Sequence, residues 1–237
     1  MPFMWTSLMR ALLASRRRWL ATVAVALAGV SAAGAQERRF EFGGTFGRTF
    51  SEGVHGVGVL GTSGLPATGI SPEDGVSYSL FAVYFLNENL QLGVQAGRQE
   101  SELHLKSAPP VDVGGLDIEN YHAVLTTLMG DDDLRARPYF LIGLGVTRFS
   151  QVNFTGLDAL PRSLQGRTRF SPTVGTGVKI YLPSRKYGLN LGLRWTPTFL
   201  KSGDAGFWCN PYWGCFMVEN TQFVHQIELA GGIQLRF

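Results

Sequence analysis

The chain has 237 residues, with 21 Lys and Arg against 18 Asp and Glu, and a formal net charge of +3. Four of those cations, Arg10, Arg16, Arg17 and Arg18, lie in the first 35 residues, which hold no acid, so the remainder carries 3 − 4 = −1. The basic balance belongs to the N-terminal segment, which removes the charge argument for a nucleic-acid partner.

That segment reads as an export signal. Arg16-Arg17-Arg18 precede an apolar run, Trp19 to Val30, and then the small residues Ser31-Ala-Ala-Gly-Ala35. A basic stretch, an apolar stretch and an Ala-x-Ala site at Ala33 and Ala35 predict cleavage before Gln36. The rival is an uncleaved anchor, but the run is short of the roughly 20 residues a spanning helix needs. The long stretch ahead of Arg16 leaves room for a start at Met9. The expected organisation is a signal peptide over 1–35 and one domain over 36–237. That domain contains no apolar run long enough for a transmembrane helix.

Eight segments with a period of two follow: 39–50, 75–86, 90–101, 117–129, 137–149, 167–182, 187–200 and 222–237. Most are long enough for a tilted strand to cross a bilayer. The gaps 51–74, 102–116, 150–166 and 201–221 are long, whereas 87–89, 130–136 and 183–186 are short. Such alternation predicts an all-β, eight-stranded antiparallel up-and-down transmembrane β-barrel, with long loops at one end and short turns at the other.

Facing can be read segment by segment. Leu189, Leu191, Leu193, Trp195, Pro197 and Phe199 share one side of the seventh; Gly188, Asn190, Gly192, Arg194, Thr196 and Thr198 share the other. In the sixth, Phe170, Val174, Val178 and Ile180 oppose Ser171, Thr173, Lys179 and Tyr181; in the first, Phe40, Phe42 and Phe46 oppose Glu41, Gly43 and Thr45. The second segment is ambiguous, because Phe81, Val83 and Phe85 compete with Leu80, Tyr84 and Leu86, and the fourth and fifth are no clearer.

A soluble lipocalin-like barrel would enclose its apolar face instead. Small and polar residues crowd the other face here, as a narrow lumen requires. Aromatics near segment ends (Phe40, Tyr139, Phe140, Phe149, Phe170, Tyr187, Trp195, Phe199, Phe237) suit interfacial girdles. The apolar face is therefore expected to point outward.

The last segment alternates up to a terminal aromatic: Ile227, Leu229, Gly231, Ile233, Leu235 and Phe237 on one face, with Gln226, Glu228, Gln234 and Arg236 on the other. This pattern resembles the C-terminal strand of bacterial outer-membrane barrels. Arg137-Pro-Tyr-Phe-Leu-Ile-Gly-Leu-Gly-Val146, Tyr84-Phe-Leu-Asn-Glu-Asn-Leu-Gln-Leu-Gly-Val94 and Gly232-Ile-Gln-Leu-Arg-Phe237 resemble the OmpA/OmpX-type eight-stranded superfamily. The resemblance implies an outer-membrane location with both chain ends periplasmic and four long loops extracellular. It also implies that Leu235 and Phe237 serve as an assembly signal to the barrel-assembly machinery. Outer-membrane lipid and lipopolysaccharide are the expected surroundings, with an unidentified extracellular ligand as a further partner.

Candidate chemistry lies in the lumen and in one loop. Glu41, Gln91, Gln95, Lys179, Arg194, Glu228 and Arg236 should form a polar network, with His122 and Asn190 near it. Buried charges need partners, and eight strands leave interior only for side chains or one small ligand. A plug is expected, with a narrow channel as the alternative. A lipid-A deacylase on such a barrel carries a His-x-Ser motif, but His55, His104, His122 and His225 are followed by Gly56-Val57, Leu105-Lys106, Ala123-Val124 and Gln226-Ile227. No catalytic, cofactor or metal site is expected; Asp131-Asp132-Asp133 lack the spacing of a Ca²⁺ loop and read as a solvated turn. In an exported chain, Cys209 and Cys215 predict a local disulfide. Trp208, Tyr212 and Trp213 around them are candidates for surface recognition.

Overall fold

The computed structural model describes residues 39–60, 65–106, 111–155, 161–164, 166–200, 208–210, 214–216 and 222–237. The expected signal peptide and its cleavage site lie outside the described residues. The strands are β1 (Phe40–Glu52), β2 (Val54–Leu60), β3 (Leu65–Pro72), β4 (Gly75–Phe85), β5 (Leu90–Lys106), β6 (Val111–Leu128) and β7 (Ala136–Phe149). They continue with β8 (Val152–Thr155), β9 (Pro161–Leu164), β10 (Arg167–Tyr181), β11 (Tyr187–Leu200), β12 (Trp208–Asn210), β13 (Gly214–Phe216) and β14 (Gln222–Arg236).

Eight of these form a closed antiparallel ring, β5-β4-β1-β14-β11-β10-β7-β6, with β6 pairing back onto β5. They coincide with the eight segments expected from periodicity. A walk through the registers from Val178 passes Leu191, Gly231, Phe46, Tyr78, Arg98, Glu119 and Arg148 and returns to β10 at Thr168. The offset, 178 − 168 = 10 residues, is the stagger that closes the barrel. With the usual strand spacings it tilts the strands by roughly 40°.

The long gaps are not plain loops. The β5–β6 hairpin continues past the expected ends, pairing Leu105 with Val111 across a bulge at Leu103/His104. β2 and β3 form a hairpin whose second strand pairs with the end of β5. β8–β9 and β12–β13 are further short hairpins. Periodicity missed these extensions because the residues beyond the apolar belt are polar on both faces, as in Glu100-Ser-Glu102.

The outer wall is apolar. Phe40, Phe46, Leu92, Val94, Leu144, Phe170, Leu191, Leu229 and Ile233 are all about half or more exposed. A continuous apolar surface of this kind is a lipid-facing wall, not a water-facing one. Inward positions carry Glu41, Ser77, Gln91, Gln99, Asn120, Arg137, Thr147, Lys179, Arg194 and Glu228, all buried.

The ambiguous segments resolve in an instructive way. In β4 the inward residues are Phe81, Val83 and Phe85, and the outward ones are Val76, Tyr78 and Leu80. β6 turns Asn120, His122, Val124 and Leu128 inward, and β7 turns Arg137, Tyr139, Thr147 and Phe149 inward. Tyr139 and Phe149 are therefore lumen residues, which corrects their expected place in the girdle. A narrow lumen tolerates apolar side chains, whereas hydrocarbon tolerates no polar ones. Within the apolar belt of β7, the face free of charged residues is therefore the outer one.

Glycines make room for the large lumen side chains. A Cβ on Gly192 would collide with the Tyr139 hydroxyl, one on Gly177 would approach the same ring to 2.7 Å, and one on Gly43 would strike Phe81. Phe81, Val83 and Val124 pack with Leu141 into one apolar layer; Phe85, Leu128 and Tyr139 pack with Leu141 into another.

Candidate functional site

The lumen holds a stack of polar layers between these apolar ones, beginning at the end with the short turns. There Asp132 accepts from Arg137 at 2.9 Å, from Arg236 at 3.1 Å and from Arg185 at 3.3 Å. Arg137 is fully buried and also donates to Glu88 O (3.0 Å), Asn89 Oδ1 (2.5 Å) and Gly130 O (3.1 Å). One guanidinium thus ties the β4–β5 turn to the β6–β7 turn, and Asp132 adds the β10–β11 turn and the end of β14. Arg236 completes the layer by lying 4.2 Å over the Phe85 ring.

Asp132 is thus an ion-pair hub, which corrects the expectation of a merely solvated Asp131-Asp132-Asp133 turn. Its neighbours Asp131 and Asp133 are exposed, as expected. Arg185, whose guanidinium reaches Asp132, adopts a left-handed backbone (φ 53°) in its turn. Among the described residues no group of three or more acidic, His or Cys side chains is placed to hold a metal.

Above this layer Lys179 donates to Glu41 and, at 2.8 Å, to Gln91 Oε1. Tyr181 Oη donates to the second oxygen of the Glu41 carboxylate at 3.0 Å. The Lys179 ammonium also lies 5.6 Å from the Phe81 ring centre and 5.9 Å from that of Tyr139. Next comes the Arg194–Glu228 pair, with both side chains about nine-tenths buried. Tyr139 Oη donates to Asn190 Oδ1 at 3.1 Å. A cavity of about 60 Å³ separates the two ion pairs, lined by Lys179, Arg194, Glu228, Gln95, Asn190 and Tyr139 among others. It is large enough for a few water molecules.

Towards the long connections the lumen changes to hydroxyls and amides. Thr147 donates to Asn120 Oδ1 (2.6 Å), stands within hydrogen-bond distance of Ser171 Oγ (2.9 Å) and accepts from Thr198 at 3.1 Å. Gln226 donates to Gln99 (2.7 Å), which donates to Ser51 Oγ (3.0 Å). His122 Nε2 lies 3.1 Å from both the carbonyl and the hydroxyl oxygen of Ser171. This contact brings a Ser and a His together, but inside the lumen and not on the outer face where a lipid-modifying site would need them.

The seven expected network residues are all inward, yet they do not form one network. Glu41, Lys179 and Gln91 make one cluster and Arg194 with Glu228 makes another. Gln95 bonds to Ser79 Oγ at 3.2 Å, and Arg236 joins Asp132. Arg137, Tyr181, Asp132 and Gln99 were missed. The signal for Arg137 was the strict apolar set Pro138, Phe140, Ile142, Leu144 and Val146 on the opposite face. His225 faces outward, accepting from Trp195 Nε1 at 3.3 Å and stacking on Trp195 and Phe223.

At the aromatic loop, β12 and β13 pair with Cys209 directly opposite Cys215 and Trp208 opposite Phe216. Tyr212 and Trp213 lie outside the described residues. Leu235 pairs with Phe42 of β1 and Tyr187 of β11, at the ring's turn end.

No family model matches the chain, and no curated protein matches it. Solved structures do. Neisserial surface protein A superposes with a TM-score of 0.51 at 17% identity, over 84% of this chain and 97% of that one. The outer membrane protein OprG from Pseudomonas aeruginosa superposes with a TM-score of 0.54 at 12% identity, over 85% of this chain and 97% of that one. The chain has the fold of the eight-stranded outer-membrane β-barrels, as its resemblance to the OmpA/OmpX type implied.

Proposed function

We propose that this is a small integral outer-membrane protein whose barrel is closed by its own side chains, with a structural or surface-interaction role. The observation that carries the reading is the stack of Asp132 with three arginines, Lys179 with Glu41, and Arg194 with Glu228, with Arg137, Arg236 and both pairs deeply buried in the bore and Asp132 and Arg185 at its rim. Two buried pairs and a hub fill a bore that has room only for side chains. In this reading the short turns and both chain ends are periplasmic and the four long hairpin connections are extracellular. Phe237 and Leu235 act as the assembly signal, and the β12–β13 hairpin, pinned by a Cys209–Cys215 bridge, presents aromatics to an extracellular ligand. The protein is not an enzyme in this reading.

Reconstitution in planar bilayers tests the plug. The protein should give no current above a protein-free control; steady single-channel steps would overturn it. A narrow channel is the second reading, favoured by the cavity of about 60 Å³ between the two ion pairs. Steps that grow when Arg194→Ala and Glu228→Ala are combined would establish that alternative.

A further inference from the structure

The wall of the ring is not laddered over its whole height. β10 pairs with β7 as far as Arg167, and β11 pairs with β14 as far as Leu200, yet the β10–β11 ladder stops at Val174 and Trp195. Carried onward, its register sets Thr173 against Thr196 and Pro172 against Pro197. Leu182 N donates to Tyr187 O at 2.9 Å, so even-numbered residues of β10 and odd-numbered residues of β11 turn their peptide groups towards each other. Pro172 and Pro197 belong to those two sets. They stand where an antiparallel pair exchanges two N–H···O bonds, and neither has an N–H to give. The next such pair, Phe170 with Phe199, is not made either.

This seam lies in the lipid-facing wall. On its other side Pro172 pairs with Leu144, inside the apolar belt. Phe170 and Trp195 beside it are 54% and 44% exposed. Hydrocarbon supplies no replacement for a lost ladder bond, so an unladdered strand pair at this depth costs stability. Side chains close the gap instead. Thr173 Oγ1 lies 3.0 Å from Thr196 Oγ1 and 3.3 Å from Trp195 O, and Ser171 and Thr198 are fully buried behind the prolines. Parting β10 from β11 here breaks hydroxyl contacts and no ladder bond.

We propose that the seam is a lateral portal, through which a single-chain amphiphile with a hydroxyl head enters the upper lumen from the surrounding leaflet. Outside, the rings of Phe170, Trp195 and Phe199 suit an alkyl chain. Inside, Ser171, Thr173, Thr196, Thr198 and Thr147 carry hydroxyls that both donate and accept, which suits the head. The seam is one strand spacing wide, so it admits one chain and not the body of a two-chain lipid. The Arg194–Glu228 pair lies deeper than Thr196 on β11, and the portal ends above it. It therefore requires no passage through the plugged bore.

The test is a repair. Pro172→Val combined with Pro197→Val supplies both missing donors, which should extend the ladder and leave the barrel at least as stable. The full chain in lipid nanodiscs is irradiated with dodecanol carrying a diazirine on its chain, and labelled residues are located by mass spectrometry. The natural chain should be labelled at inward Ser171, Thr173 or Thr198; the double variant should lose that label and keep the label on outward Phe170. Amides introduced at 172 and 197 should resist hydrogen exchange. Labelling of the natural chain confined to outward residues would overturn the portal. So would inward labelling that the repair leaves unchanged, since the probe then enters from the open end of the barrel. Rapid exchange at the two new amides would remove the prolines as the cause of the seam. Equal inward labelling by dodecane bearing the same diazirine would overturn the hydroxyl-headed ligand.

Discussion

Lys179 of β10 and Glu41 of β1 meet inside the barrel although their strands are three places apart around the ring and the residues are 138 apart in sequence. The pair links two walls of the lumen that no backbone ladder joins. Both side chains are almost completely buried. Attraction within such a pair is largely offset by desolvation, so its net contribution is small, while breaking one side leaves an uncompensated charge.

Lys179→Met should therefore destabilise the barrel by about 3–5 kcal/mol, whereas Glu41→Gln combined with Lys179→Met should recover most of that loss. Urea unfolding of the protein reconstituted in lipid vesicles measures both. Equal losses in the single and double variants would show that the pair is not the source of the effect.

The Asp132 carboxylate is shared by Arg137, Arg185 and Arg236. It is about a third exposed, so solvent screens part of its attraction. Asp132→Asn should cost about 1–3 kcal/mol, mostly by leaving the buried Arg137 with fewer acceptors. Asp131→Asn and Asp133→Asn, at exposed positions, should be neutral within about 0.5 kcal/mol. Heat-modified mobility on cold gels, scored against temperature, separates the three.

Gly192 offers a cycle with a single contact at stake. The only close neighbour of an added Cβ is the Tyr139 hydroxyl; the next atom, Thr176 O, is 3.5 Å away. Gly192→Ala should cost about 1–2 kcal/mol through overpacking. Tyr139→Phe removes the hydroxyl and its bond to Asn190, at about 1 kcal/mol. The double variant should be more stable than the sum of the two losses predicts. Strict additivity in chemical denaturation would mean that the ring moves away freely.

Cys209 and Cys215 stand opposite each other in the β12–β13 ladder. The protein isolated without reductant should resist thiol labelling and become labelled at both positions after reduction. A bridge over so short a segment adds on the order of 2–3 kcal/mol of chain constraint. Prompt labelling without reductant would remove it.

Some of this was legible in the chain alone. Strand number, the alternation of long and short connections and the lumen side of β1, β10, β11 and β14 follow from a period of two against a solvent that accepts no polar group. Glu41, Lys179, Arg194 and Glu228 could be assigned to the interior for that reason. Where both faces are apolar, as in β4 and β7, the period gives no direction. Phe81 and Tyr139 found their places through glycines on other strands, Gly43, Gly177 and Gly192.

The sequence by itself determined which residues share a face, because alternation is a property of one strand. Only the tertiary structure decided which charges meet, because that depends on the ten-residue stagger, which sets the height of each strand against the others. It joined Asp132 to Arg236 across 104 residues and separated Arg236 from Glu228, eight residues away on the same strand and face. It also aligned Arg98, Glu119 and Arg148 on the outer wall, a row that no single strand contains.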